Sequence, residues 1–579
     1  MASRLRRTLA DPTNADMSVS ATAALPFQPW QAHYAHPAPW DTTFPPLTVP
    51  QMFADSVARF ADRPLVDFMG RRFSYAEIAQ DANAFAAGLQ ALGVAKGDRI
   101  GLFLPNVPIY LAAYYGAMIA GATVVNFSPL YTAAELAAQV ADSGTRLLVT
   151  VDSSALLPTA LAVKAQSALE WLVVGSLAAQ LPWFKGLAMR LFAAKSLSPI
   201  PEQALRWDDL LADTAPTPVT LDPEEDLALL QYTGGTTGTP KGAMLTHQNI
   251  TANTRQVEAI DPRQDERDVI VGVLPMFHVF ANICVLNRTV AHGGCIAMLP
   301  RFDAGQALKA LARVQATAIP GVPTMYQALL DHPDCGKTDF SSLRVCISGG
   351  APLPQPLKQR FEAATGARLI EGYGLTETAG VATANPYEGE ERPGTIGQPI
   401  PGTRVRLLDK EDPTQDAAEG EPGELAIQGP QVMRGYWRRP EAALAAFAER
   451  PDGRWLRTGD VAVLEEGGYL RIVDRIKDMI AVGGFKVFPS EVEAVLLRHP
   501  AVKEALVIGV PDPYRGEAPQ AYVTLLDGAS ENGDALAKWL NAQLGKHERV
   551  ESVVVRESLP KTMIGKLDRK ALRAEVGLA

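Results

Sequence analysis

Between Phe73 and Val151, short apolar runs alternate with longer segments of helical pattern. Arg99–Leu104, Thr123–Phe127 and Arg146–Val151 read as strands, and Ile109–Ala120 and Ala133–Ser143 between them as helices. Strands separated by helices return to a sheet in parallel, so the alternation predicts an α/β layer. The pattern recurs at Asp268–Leu274, Ala304–Val314, Ala316–Pro320 and Leu343–Ser348, which predicts a second layer. From Gly394 to Val473 helical patterns thin out, and short strands between Gly/Pro turns suggest a small β-rich subdomain. Beyond Lys477 the predicted order is helix Pro489–Arg498, strands Glu504–Val510 and Gln520–Leu526, helix Asp534–Leu544, then strand Glu551–Glu557. That order makes a compact α+β unit of ordinary domain size. The expected organisation is a partly disordered tail at 1–45, a large α/β domain at 46–475 and a smaller α+β domain at 476–579.

Two uncharged stretches test this reading. Ile100–Ala134 and Val269–Asn287 carry no charged residue and superficially invite a membrane span. The first is broken at Pro105-Asn106 and Gly121-Ala-Thr, the second at Pro275 and His278. A buried strand–helix–strand unit accounts for such runs, because both faces of its sheet are covered.

A chain of 579 residues is too long for one core. With 47% hydrophobic and 20% charged residues it has the composition of a soluble enzyme. A net charge of −10 without a basic block argues against nucleic acid as a partner. Cys284, Cys295, Cys335 and Cys346 have no paired metal spacing and read as reduced thiols, which suggests the cytoplasm. Arg4, Arg6 and Arg7 open the chain, but polar Asp11–Asp16 stands where a secretory signal needs an apolar core. Met17 is an alternative start.

The chemistry concentrates in Tyr232–Gly242, which packs four glycines, four threonines and one lysine into eleven residues. Glycines let backbone N–H groups approach an anion, hydroxyls add donors and the lysine adds charge. This is a cradle for phosphate oxygens. It differs from the Walker loop, since Pro240 precedes Lys241 and Gly242 follows it. A Gly/Thr-rich surface turn is the plain alternative, and the four hydroxyls with the Pro-Lys-Gly ending weigh against it.

Further motifs follow in order: Leu274–His278, Ser348–Pro352, Tyr373–Thr378, Gly420–Glu424, Arg457–Asp460, Asp474-Arg475 with Lys477, and Pro560–Lys566. Together they resemble the adenylate-forming superfamily of acyl-CoA synthetases, peptide-synthetase adenylation domains and luciferases, from about Pro46 to the C-terminus. Gln231–Gly235, Lys241–His247, Gln431–Trp437 and Arg471–Ile480 are most similar to bacterial long-chain fatty-acid–CoA ligases.

The resemblance implies a reaction and assigns residues to it. A carboxylate attacks the α-phosphorus of ATP, pyrophosphate leaves, and CoA then displaces AMP from the acyl-AMP. Thr233, Gly234, Gly235, Thr236, Thr237, Gly238 and Lys241 would cradle the phosphates. Glu377 would hold Mg²⁺, with Thr376 donating to the α-phosphate. Gly349, Gly350, Ala351 and Tyr373 would form the adenine slot, Asp460 would accept the ribose hydroxyls and Arg475 would add a contact. Lys566 would stabilise charge in the adenylation transition state. The C-terminal domain would act as a mobile lid turning about Lys477, and Gly483, Gly484, Phe485 and Lys486 would line the CoA passage.

The identity of the acid is less well defined. Peptide-synthetase domains carry an aspartate in a Phe-Asp motif, where this chain reads Phe277-His278, which favours an apolar acid. His278 would close behind the substrate carboxylate or pack as a core histidine. Pocket walls are expected from Val322–Met325, Gly349-Gly350 and Tyr373–Thr378. Leu181–Lys195 combines Trp183, Phe184, Leu187, Leu191 and Phe192 with Lys185, Arg190 and Lys195. It fits an interfacial helix touching the inner face of a membrane or a helix lying on the protein's own core. The partners expected are a fatty acid, ATP and CoA, and the oligomeric state stays open, a homodimer included. Ligases for medium-chain, dicarboxylic or aryl acids, a carrier-protein loader and a non-catalytic acyl or nucleotide sensor remain as rivals.

Overall fold

The computed structural model describes residues 28–233, 240–263, 266–483, 485–562 and 566–578. One layer is an eight-stranded sheet. Its spatial order is Gly435–Tyr436, Lys241–Thr246, Leu227–Thr233, Thr123–Asn126, Arg99–Leu102, Leu147–Val151, Trp171–Gly175, Leu205–Arg206. From Leu227–Thr233 to Leu205–Arg206 neighbouring strands are parallel, as the alternation predicts. The helix Pro108–Ile119 between two of them is buried at every position from Pro108 to Met118. The uncharged run is therefore core, and no described helix is long and apolar enough to cross a membrane.

A second layer pairs Val269–Gly272, Cys295–Met298, Pro64–Phe68 and Arg71–Ser74. It continues towards Val345–Ser348 and Arg368–Tyr373 through isolated parallel bridges, Ile270 to Ala318 and Gly321 to Ser348. Ala316–Pro320, expected as part of this alternation, makes only the bridge at Ala318. Pro320 has no N–H to give, which limits ladder formation there. The uncharged run after Gly272 leads into a π-helical turn at Asn282–Asn287. The β-rich subdomain is a five-stranded antiparallel sheet built on Arg404–Leu408, Gly423–Gln428, Phe447–Arg450, Gly453–Leu464 and Leu470–Arg475.

The C-terminal unit has its own core around Val492, Leu496, Val507, Val523, Leu536 and Leu540. Its long strands, Val502–Asp512 and Gly516–Leu525, pair antiparallel, and Val553–Val555 adds in parallel. Two elements are additional to the expected ones: the hairpin Ile480–Val482/Phe485–Val487 and the helix Arg569–Glu575. At the other end, the described part of the expected tail is packed. Trp30 is 1% exposed, and Tyr34 donates its hydroxyl to Pro399 O at 2.8 Å.

Candidate active site

The strands Leu227–Thr233 and Lys241–Thr246 form an antiparallel hairpin in which Thr233 faces Lys241. The expected phosphate cradle is thus the connection between two strands of the main sheet. Gly234, Gly235, Thr236, Thr237 and Gly238 lie outside the described residues. Lys241 holds its ammonium 5.2 Å from the centroid of the Tyr436 ring, within cation–π range. Thr246 caps the following helix, His247–Ala259, by accepting from Asn249 N, which fixes the strand's exit.

A second group gathers at the ends of other strands. Arg368–Tyr373 delivers Tyr373, whose hydroxyl donates to Asp460 Oδ2 at 2.6 Å. Arg475 faces Asp460 across the antiparallel pair Gly453–Leu464/Leu470–Arg475 and bonds Oδ1 at 2.9 Å. Both carboxylate oxygens of Asp460 therefore have protein partners, and each keeps acceptor capacity for a ligand hydroxyl. Burial, reinforced by the Asp460 charge, holds the Tyr373 phenol protonated well above its ordinary range. Thr376 and Glu377 sit in a short 3-10 turn, and Met433 N anchors that turn by donating to Glu377 O at 2.8 Å.

Tyr436 donates to Glu377 Oε1 at 2.6 Å. It thereby touches the carboxylate expected to hold the metal while its ring faces the cradle lysine. Sequence reasoning gave Tyr436 no role, although it lies within the quoted Gln431–Trp437 segment. Its signal was present, but its distance from both partners along the chain hid the contact.

Lys566 comes from the other domain. Thr562 N donates to Lys566 O at 2.7 Å and Lys566 N to Thr562 Oγ1 at 3.2 Å. Its side chain reaches Gly350, where an added Cβ would stand 2.7 Å from Lys566 Cε and 3.3 Å from Nζ. Gly350 has φ +83°, a conformation that favours glycine there. Burial, with Arg475 adding and Asp460 opposing, brings the Lys566 ammonium down to about 8. His278 is pushed down to about 3 by burial and then by Lys566, so its imidazole is neutral at physiological pH. Its Nδ1 accepts from Phe280 N at 3.3 Å, and the Phe280 ring would lie 3.1 Å from a Cβ on Gly349. Val322 Cγ1 would stand 3.7 Å from the same added Cβ on Gly350, as expected for a pocket wall. Ala351 follows this pair and is partly exposed.

The remaining expected residues are placed elsewhere. Lys477 lies exposed in the 3-10 turn Ile476–Asp478 that joins the domains, its ammonium pushed down by partial desolvation and then by Arg475. Gly483 is exposed with nothing within 4 Å of a Cβ, and Lys486 approaches Glu411 at 3.7 Å. The described part of the Gly483–Lys486 turn thus faces Glu411 and solvent while Lys566 occupies the site. Gly484 lies outside the described residues, and Phe485 continues the turn on a strand. Two basic neighbours of Lys566 are ion-paired. Lys561 meets Glu504 at 2.6 Å, and Arg569 meets Glu493 at 2.6 Å and Asp478 at 3.1 Å.

Comparison with known proteins accords with this arrangement. Residues 53–437 match the family model described as AMP-binding enzyme, and 491–566 match that of the AMP-binding enzyme C-terminal domain. A long-chain-fatty-acid–CoA ligase of Bacillus subtilis is 38% identical over 95% of this chain and 98% of that protein. A long-chain-fatty-acid–CoA ligase of Escherichia coli O157:H7 is 40% identical over 90% and 94% respectively. Among solved structures, ATP-bound MatB from Rhodopseudomonas palustris superposes with a TM-score of 0.79 at 30% identity, covering 91% of this chain and 99% of that one. With both family models matched and the fold shared with a solved relative, the chain belongs to the AMP-binding enzyme family and has the adenylate-forming fold.

Proposed function

We propose that this protein is an ATP- and Mg²⁺-dependent ligase that converts a long-chain fatty acid to its acyl-CoA. The observation that carries the reading is Lys566, brought from the C-terminal domain against Gly350 beside the Tyr373–Asp460–Arg475 group. The named relatives support the substrate class. Residues 46–475 would bind the nucleotide, and 476–579 would form the lid.

A fatty carboxylate is a poor acyl donor, because its charge repels nucleophiles and oxide cannot leave. In the first step a carboxylate oxygen attacks the α-phosphorus of ATP and the bond to pyrophosphate breaks. Two anions meet in this step, so positive charge and fixed donors control its barrier. Lys566 would sit over the reacting oxygens, Lys241 and the 233–238 cradle would hold the outer phosphates, and Asp460 would fix the ribose. Thr376 would donate to the α-phosphate. The neutral His278 would back the carboxylate without adding charge.

Glu377 offers one carboxylate, with one oxygen already accepting from Tyr436. That donor set suits a Mg²⁺ that keeps waters and phosphate oxygens as its other ligands. Bound there, the ion would neutralise charge on the phosphates. In the second step the CoA thiolate attacks the acyl carbon and AMP leaves. Lys566 must then move out, and rotation about Lys477 would bring the Gly483–Lys486 turn inward as a passage wall.

The test is AMP release by the purified protein with ATP, Mg²⁺ and CoA across acetate, octanoate, palmitate, oleate, pimelate and benzoate. Preference for palmitate or oleate is expected. Preference for octanoate, pimelate or benzoate would keep the chemistry and overturn the substrate. No turnover with any acid would overturn the ligase reading.

A further inference from the structure

The helix Trp183–Phe192 shows the reverse of ordinary amphipathic packing. A surface helix normally turns its apolar stripe inward. Here Gly186 is the buried residue, while Trp183 is 81% exposed, Leu191 65% and Phe192 88%. Phe184 and Leu187 are exposed as well. Trp183, Leu187 and Leu191 stand at successive four-residue steps and so form one outward line. Phe184 lies beside it, its ring edge-on to Trp183 at 6.0 Å.

Contacts beneath the helix fix this orientation. A Cβ at Gly186 would lie 2.4 Å from Ala178 O, so the helix rests backbone against backbone on the preceding turn Leu177–Gln180. Lys185 Nζ donates to Met69 O at 2.8 Å, and the Arg71 guanidinium donates to Ala179 O. Met69 and Arg71 belong to the hairpin Pro64–Phe68/Arg71–Ser74, which braces the segment from one side. Turning the apolar line inward would break the Gly186 and Lys185 contacts.

Charge narrows the choice of occupant. From Ser176 to Pro201 the chain has no Asp or Glu, whereas Lys185, Arg190 and Lys195 are exposed there. This is a cationic segment in a chain of net charge −10. An apolar ridge with exposed cations and no carboxylate matches a surface of acyl chains under anionic headgroups. The acidic remainder would be repelled by that surface, which favours contact through this helix alone.

We propose that Trp183–Phe192 docks the protein onto anionic lipid bilayers, inserting Trp183, Phe184, Leu187 and Leu191 while Arg190 and Lys195 engage headgroups. The preference for a lipid surface over an acidic protein rests in part on the fatty-acid reading above, since such substrates partition into bilayers.

The test is co-sedimentation of the full chain with vesicles of phosphatidylcholine alone and of phosphatidylcholine with phosphatidylglycerol. Binding is expected to be tighter to the second. Arg190→Gln with Lys195→Gln, which leaves the Lys185 brace intact, should weaken binding to anionic vesicles by roughly 25-fold, about fivefold per cation. Trp183→Ser with Phe184→Ser and Leu187→Ser should remove binding to both, with an unchanged circular dichroism spectrum and Tm. Vesicle binding needs no turnover, so failure of the ligase reading would show in AMP release alone. Absence of wild-type binding to anionic vesicles, or binding retained by both variants, would overturn the proposal. So would self-association abolished by the serine variant without lipid binding, which would assign the face to a second copy.

Discussion

Asp460 stands on a twelve-residue strand with Tyr373 and Arg475 as its own partners, whereas Lys566 reaches Gly350 from the other domain. The first group is assembled before any ligand arrives. Arg475 reaches Asp460 from the neighbouring strand and Tyr373 from another sheet, and Asp460 is only 2% exposed. The lysine is held differently. Its approach to Gly350 persists only while the two domains stay together, and burial of its ammonium opposes that closure. In the two-step reaction proposed above this division would help, because one half would stay fixed while the other is withdrawn.

The largest expected effect breaks the comparison on the mobile side. Lys566→Ala should lower acyl-AMP formation by about 10²–10³-fold, the cost of one preorganised charge. Thioester formation from supplied acyl-AMP and CoA should remain nearly unchanged. Separate assays of the two half-reactions check this, and equal losses in both would place Lys566 in the fixed half.

A smaller effect is expected on the fixed side. Asp460→Asn keeps the shape but leaves Arg475 without its counter-charge and weakens the ribose acceptor. Both half-reactions should fall by roughly tenfold or more, at about 1–3 kcal/mol for a charged hydrogen bond, with a lower Tm. Loss confined to one half-reaction would contradict a preassembled role.

A pH effect sharpens the account of the lysine. Its ammonium is brought down to about 8 when the lid is closed, from the ordinary 10.4 or so of a solvated lysine. Between these values the closed arrangement binds fewer protons than an open one. Raising the pH through that window should therefore favour closure in the ligand-free protein, by at most about tenfold per unit. Lowering it below about 8 should remove the gain. Energy transfer between dyes on the two domains reads the closed fraction, and Lys566→Met should abolish its pH dependence.

Much of the fold could be read locally. Ala133–Ser143 and Ala304–Val314 occur as predicted to the residue, since each has a clean helical period and a polar cap at its start. Ala316–Pro320 and the hairpin at Ile480–Val487 were less legible. The first has ambiguous short apolar content, and the second needs a neighbouring strand to define it. At the site, Glu377, Asp460 and Lys566 could be found by motif, but Tyr436 could not, because its partner lies 59 residues away.

The sequence alone determined many of the segments that become helix or strand and which side chains can handle phosphate, since both follow from periodicity and residue chemistry. Only the tertiary structure decided that Lys566 meets Gly350, that Tyr436 holds Glu377, and that the apolar line of Trp183–Phe192 faces outward. A hydrophobic period fixes which residues share a face. What covers that face depends on long-range packing, here a glycine resting on Ala178 O.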